Sequence, residues 1–166
     1  MSHSNISVFV PHKGCPNDCV FCNQRKISGH AKADFSNVEN EIEQALATIP
    51  SGTEVQIAFF GGSFTAINRN YMLSLLTTAS EYAKAGIVSG IRISTRPDAI
   101  NDEILETLKK YGVTAIELGA QSMCDDVLIA NNRGHLSSDV VFASNLIKQK
   151  GFKLGLQMMT GLHRDT

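Results

Sequence analysis

The sequence predicts an α/β fold with a parallel sheet. Five short apolar or alternating runs recur along the chain, and segments with helical spacing separate them. Each intervening segment is long enough for a right-handed crossover between parallel strands. The unusual residues also fall just after the runs, where loops converge at the carboxyl ends of strands in parallel β/α folds.

The first run, Ile6 to Val10, is β-branched and aromatic and leads into Pro11 and a cysteine loop. Val38, Ile42, Leu46 and Ile49 then recur at helical spacing, and Ser36 with Glu39 three residues on reads as a capping box. Val55 to Phe60 is almost wholly apolar and ends in Gly61-Gly62, as a strand buried on both faces would read. A second helix is expected through Met72, Leu73, Leu76, Ala79 and Ala83. Gly90 to Thr95 alternates and stops at Pro97. Asn101 is placed to cap a third helix carrying Ile104, Leu105 and Leu108, which Gly112 would end. Ala115 to Gln121 is the fourth strand. Val140, Val141, Ser144, Leu146 and Ile147 mark a fourth helix, opened by Ser137 or Ser138 and closed by Gly151. Lys153 to Met159 is the fifth strand. A doubly wound open sheet and a β/α barrel both fit this order; a full eight-stranded barrel typically needs about 250 residues, so any barrel is partial.

At 166 residues, 43% apolar and 19% charged, the chain reads as one ordinary globular domain, 1–166. A formal charge of −1 gives no bulk pull toward nucleic acid or membrane. The N-terminus lacks a signal-peptide pattern and no apolar run reaches membrane-spanning length, so the expected compartment is the cytoplasm, with no membrane partner. There, clustered cysteines serve metal or redox chemistry more often than disulfides.

Cys15, Cys19 and Cys22 are spaced C-x3-C-x2-C within the stretch GCPNDCVFCNQ. Structural zinc prefers four ligands, so His12 or His30 would have to complete a zinc site. Iron–sulfur clusters that only transfer electrons usually have four cysteines. Three thiolates on a cubane would leave one iron open to a small molecule. Cys124 reads as an incidental thiol, His135 is as readily a backbone-satisfied loop histidine as a functional one, and Met158 and Met159 read as core filler.

The cysteine motif after a first strand, with Phe21 before the third cysteine, resembles the radical S-adenosylmethionine (SAM) superfamily. Ile116 to Leu128 (IELGAQSMCDDVL) resembles strand four of the branch containing oxygen-independent coproporphyrinogen oxidases and elongator catalytic subunits. GGSFTA (Gly61 to Ala66), STRPD (Ser94 to Asp98) and NRGH (Asn132 to His135) are closer to the elongator group, and LGLQMMTGL (Leu154 to Leu162) resembles strand five. The resemblance implies a partial (β/α)6 barrel, here lacking its last strand and helices, and a [4Fe–4S] cluster held by Cys15, Cys19 and Cys22. It implies SAM bound by Gly61, Gly62 and Ser63 at its methionine end, with serine replacing the family's usual acid, and by Gln121 at the ribose. Phe21 is expected beside the adenine and Arg96 at the SAM carboxylate or a substrate phosphate; Glu117, a carboxylate in an apolar strand, needs partners, and a site role through SAM or Arg96 is favoured over a structural ion pair. The implied chemistry is reductive cleavage of SAM to a 5′-deoxyadenosyl radical, fed by an electron donor such as flavodoxin or ferredoxin. A tRNA wobble uridine is the candidate substrate and a porphyrin the alternative; a non-catalytic zinc-stabilised module is the reading from another class.

Overall fold

The computed structural model describes residues 2–10, 15, 17–22 and 37–165. Ser36, His12 and His30 lie outside these, and so does the expected capping box at Ser36. The elements run β1 (His3–Val10), α1 (Val38–Thr48), β2 (Glu54–Gly61), α2 (Arg69–Lys84), β3 (Gly90–Thr95), α3 (Asp102–Lys110), β4 (Val113–Gln121), α4 (Asp125–Ala130), α5 (Ser137–Gln149) and β5 (Lys153–Met158). Short 3-10 turns follow β2 (Phe64–Ala66) and β3 (Pro97–Ala99).

All strand pairs are parallel, in the order β1-β2-β3-β4-β5. A doubly wound sheet reverses its strand order at a switch point. No reversal occurs here, so the winding is that of a barrel wall, the partial barrel expected from the resemblance.

Register follows from burial. Ile57, Ile91, Ile93 and Ile116 are completely buried in the core that joins the sheet to its helices. Each such side chain contributes about 1.5–3 kcal/mol. A one-residue slip would turn Arg92 and Glu117 into that core instead, so the alternation holds every strand in place. The same alternation leaves Arg92, Ser94 and Glu117 together on the inner face.

The helices form where their apolar stripes and caps allow. Asn68 accepts from the backbone N–H groups of Asn70 and Tyr71 at the start of α2. Asn101 caps α3 as expected, accepting from Ile104 N at 2.9 Å. Two expectations need correction. The cap position of α5 is Leu136, not Ser137 or Ser138: its N–H donates to Asp139 Oδ2 (2.8 Å), and Ser137 N donates to Asp125 Oδ1 (2.8 Å). The buried stripe of α5 is Val140, Ala143 and Ile147, while Val141 faces solvent. Helix α4 was not expected at all; its six residues are too few to show a period. Among the described residues no helix is long and apolar enough to cross a membrane.

Candidate active site

Val10, Gly61, Thr95, Gln121 and Met158 end the five strands on one edge of the sheet. A cavity of about 310 Å³ opens there. Its wall includes Cys15, Cys19, Phe21, Cys22, Gly61, Gly62, Ser63, Arg96 and Gln121, together with Ser94, Arg133 and Met159. Nine of the ten expected site residues therefore meet in one place. The exception is Glu117.

Gly61 joins β1 to β2 so tightly that only glycine fits. Its φ is +116°, and a Cβ would lie 2.6 Å from Val10 O and 2.8 Å from the Phe9 ring. Gly62 N donates back to Val10 O at 3.1 Å. The Ser63 hydroxyl is committed internally: it pairs with Thr95 Oγ1 (2.9 Å) and accepts from Arg96 N (3.2 Å). Thr65 completes this knot through its own hydroxyl contact with Thr95 (2.6 Å). The serine therefore builds the strand ends rather than presenting a free hydroxyl.

Arg96 is buried and grips Asp98 bidentately, with Nε–Oδ1 at 2.8 Å and Nη2–Oδ2 at 2.9 Å. Burial works against its charge, but Asp98, with Cys19 and Cys15 nearby, leaves its pKa above the ordinary value. Among the described residues its Nη1 is buried with no partner, as is Gln121 Oε1. Gln121 also holds a left-handed φ of +70° where β4 slips register against β5. Unpartnered buried polar atoms and a strained backbone at one cavity wall are features of ligand sites.

All four cysteines are free thiols. Burial pushes the Cys15 thiol up; the Ser63 backbone N–H and the Arg96 charge oppose this, while Cys22 and Cys19 add to it. Among the described residues no three His, Cys, Asp or Glu side chains converge on a single metal ion. Three thiols spread over one cavity wall suit a larger group whose ligands bind separate irons. The donor set among the described residues is sulfur, the set that holds most iron–sulfur clusters. Arg96 and Gln121, on the same wall, are residue types that suit a polar co-ligand.

Glu117 faces Arg92, not Arg96: Arg92 Nη1 donates to Glu117 Oε1 (2.6 Å) and Ser94 Oγ to Glu117 Oε2 (3.3 Å). The inward alternation of β4 puts it below the cavity, on the inner face of the sheet. Met158 and Met159 are exposed rather than core filler, and Met159 lines the cavity. Cys124 is exposed at the start of α4 and off the cavity wall.

Sequence reasoning missed Arg133 and its neighbours. The segment 131–135 clamps the cysteine loop: Val20 N donates to Asn131 O (3.1 Å), Asn132 Nδ2 to Asp18 O (2.9 Å) and Asn17 Nδ2 to Arg133 O (3.2 Å). Arg133 Nη1 donates to Cys19 Sγ at 3.3 Å, and its guanidinium carbon lies 5.8 Å from the Phe21 ring centre. Its Nε donates to His135 Nε2 (3.3 Å), and that acceptor role makes His135 neutral. Burial first, then the Arg133 charge, lowers the His135 pKa. The NRGH resemblance was the one signal pointing here.

A family model described as the Radical SAM superfamily matches residues 9–166. Elongator complex protein 3 of Homo sapiens is 32% identical over a 153-residue alignment that covers 79% of this chain and 28% of that protein. The tRNA uridine(34) acetyltransferase of Methanocaldococcus infernus is 36% identical over 70 residues, 42% of this chain and 13% of that protein. The chain thus spans less than a third of these relatives. Among solved structures, an N-terminally shortened archaeal Elp3 from M. infernus matches with a TM-score of 0.70 at 21% identity, covering 99% of this chain and 39% of that one. Coproporphyrinogen III oxidase from Escherichia coli matches with a TM-score of 0.69 at 23% identity, covering 99% and 38%. Both structural likenesses concern the fold. With the family model covering nearly the whole chain and the three cysteines of its motif on one cavity, the chain belongs to the radical SAM superfamily.

Proposed function

We propose that the chain is the catalytic core of an elongator-type radical SAM enzyme that acts on a tRNA uridine. The observation that carries the reading is the convergence of three free thiols with the Arg96 and Gln121 side chains on one cavity at the strand ends. Cys15, Cys19 and Cys22 would each ligate one iron of a [4Fe–4S] cluster. When bound, the cluster would supply the electron for reductive cleavage of SAM to methionine and a 5′-deoxyadenosyl radical.

The chain's own residues bind and orient. Gly61 and Gly62, free of side chains, let the backbone approach the methionine ammonium. Arg96 Nη1 is available to a carboxylate. Gln121 Oε1 accepts from a ribose hydroxyl, and Phe21 packs beside the adenine. The uridine substrate is supported by the names of the relatives, and the electron would come from a small donor such as flavodoxin or ferredoxin.

Anaerobic reconstitution with iron and sulfide tests the reading. Iron uptake, followed by reductant-dependent release of 5′-deoxyadenosine from SAM, is the expected result. Tight zinc binding with no iron uptake would overturn it.

A further inference from the structure

We infer that Arg133 is a positioning residue for the iron–sulfur centre: its guanidinium fixes Cys19 and raises the reduction potential of the cluster that Cys19 ligates. The inference rests on the cysteine assignment proposed above.

All three guanidinium nitrogens are engaged. Nη1 donates to Cys19 Sγ (3.3 Å), Nε to His135 Nε2 (3.3 Å) and Nη2 to Gly119 O. The side chain is 7% exposed, so it cannot swing to water without breaking these bonds. Its backbone is held as firmly, because the Arg133 carbonyl accepts from both Arg96 Nη2 (2.7 Å) and Asn17 Nδ2 (3.2 Å). The planar fork therefore aims one N–H at the sulfur from a frame built on β3, β4 and the cysteine loop.

The charge balance gives the direction of the effect. One nearby carboxylate, Asp98, is taken bidentately by Arg96. Besides Cys19, the acceptors around Arg133 are a peptide carbonyl and a neutral histidine. Its positive charge is thus not cancelled by these partners, and it lies in a buried setting where screening is weak. A cationic donor beside a ligating sulfur stabilises the added electron of a reduced cluster. Hydrogen bonds to the sulfurs and net charge are established determinants of cluster potential, and residues that orient a ligand also govern metal retention.

The test compares the wild-type chain with R133Q and R133K after anaerobic reconstitution, reading iron content, iron loss to a chelator and midpoint potential by EPR-monitored titration. R133Q should have a more negative midpoint and should lose iron roughly 10-fold faster or more. R133K, which keeps the charge without the fork, should fall between the two. An R133Q protein with a wild-type midpoint overturns the inference, whatever its iron retention. If R133Q takes up no iron, R133K decides: a lower midpoint supports the inference, and a wild-type midpoint overturns it. A wild-type chain that takes up no iron would instead sink the cysteine assignment itself, a distinguishable result. A purely structural staple would change iron retention without moving the potential.

Discussion

The hydroxyl of Ser63 lies 2.9 Å from that of Thr95, a buried pair that ties the end of β2 to the end of β3. Ser63 Oγ also accepts from Arg96 N, so one small side chain satisfies two neighbouring groups. Ser63→Ala leaves both short of a partner and should cost about 1–2 kcal/mol, read as a lower urea midpoint. Ser63→Glu, which restores the acid usual at this family position, should be less stable still. The site is 2% exposed, and a carboxylate there would be buried against groups already paired.

Gly134 has φ +71°, and a Cβ on it would lie 1.6 Å from Asn17 Nδ2. Gly134→Ala must push Asn17 away and break its bond to the Arg133 carbonyl. The expected result is a loosened cysteine loop, detected by mass spectrometry as faster alkylation of Cys19 in the metal-free chain. Unchanged alkylation would show that the loop is held elsewhere.

Gln121 combines a left-handed backbone with a buried, unpartnered Oε1. Strain of this kind costs on the order of 1–3 kcal/mol and persists where function requires it. Gln121→Gly should match or exceed wild-type stability while weakening SAM binding at least 10-fold, as measured by calorimetry on the reconstituted protein. A loss of stability with unchanged affinity would contradict the ribose assignment.

His135 is buried and neutral, with its folded pKa lowered by burial and by Arg133. The unfolded chain, with a histidine pKa near about 6.5, takes up a proton that the folded chain refuses. Stability is therefore fully present above that value and falls as pH drops through it toward the folded pKa. His135→Gln should flatten the slope of urea midpoint against pH between about 7.5 and 5.5.

Glu117 pairs with Arg92 on the inner face and does not line the cavity. Glu117→Gln keeps the shape and much of the hydrogen bonding, so the expected cost is about 1 kcal/mol or less for this half-exposed pair. SAM affinity should not change. A tenfold loss would return Glu117 to the ligand site.

The strands and the four longer helices were legible because each carries its own period and its own punctuation, such as the Asn101 cap or the Gly151 stop. The cysteine motif was legible because its spacing is local. What escaped the sequence is non-local or too short. Arg133 meets Cys19 across 114 residues, a contact no window along the chain contains. Helix α4 is under two turns long, and the α5 cap depends on Asp139 reaching back and on Asp125 from α4. Glu117 was assigned to the wrong arginine because a carboxylate in an apolar strand demands a partner without naming it. The pleat decided between Arg92 and Arg96.

The central claim is that one iron of a three-cysteine cluster is open to SAM at the cavity formed by the strand ends. The most direct measurement is the EPR spectrum of the reduced, reconstituted chain before and after SAM is added. The account predicts a signal whose g-values shift on SAM addition, with the shift weakened in Gln121→Gly and the cluster lost in Cys22→Ala. A fully loaded cluster whose spectrum does not respond to saturating SAM would contradict it.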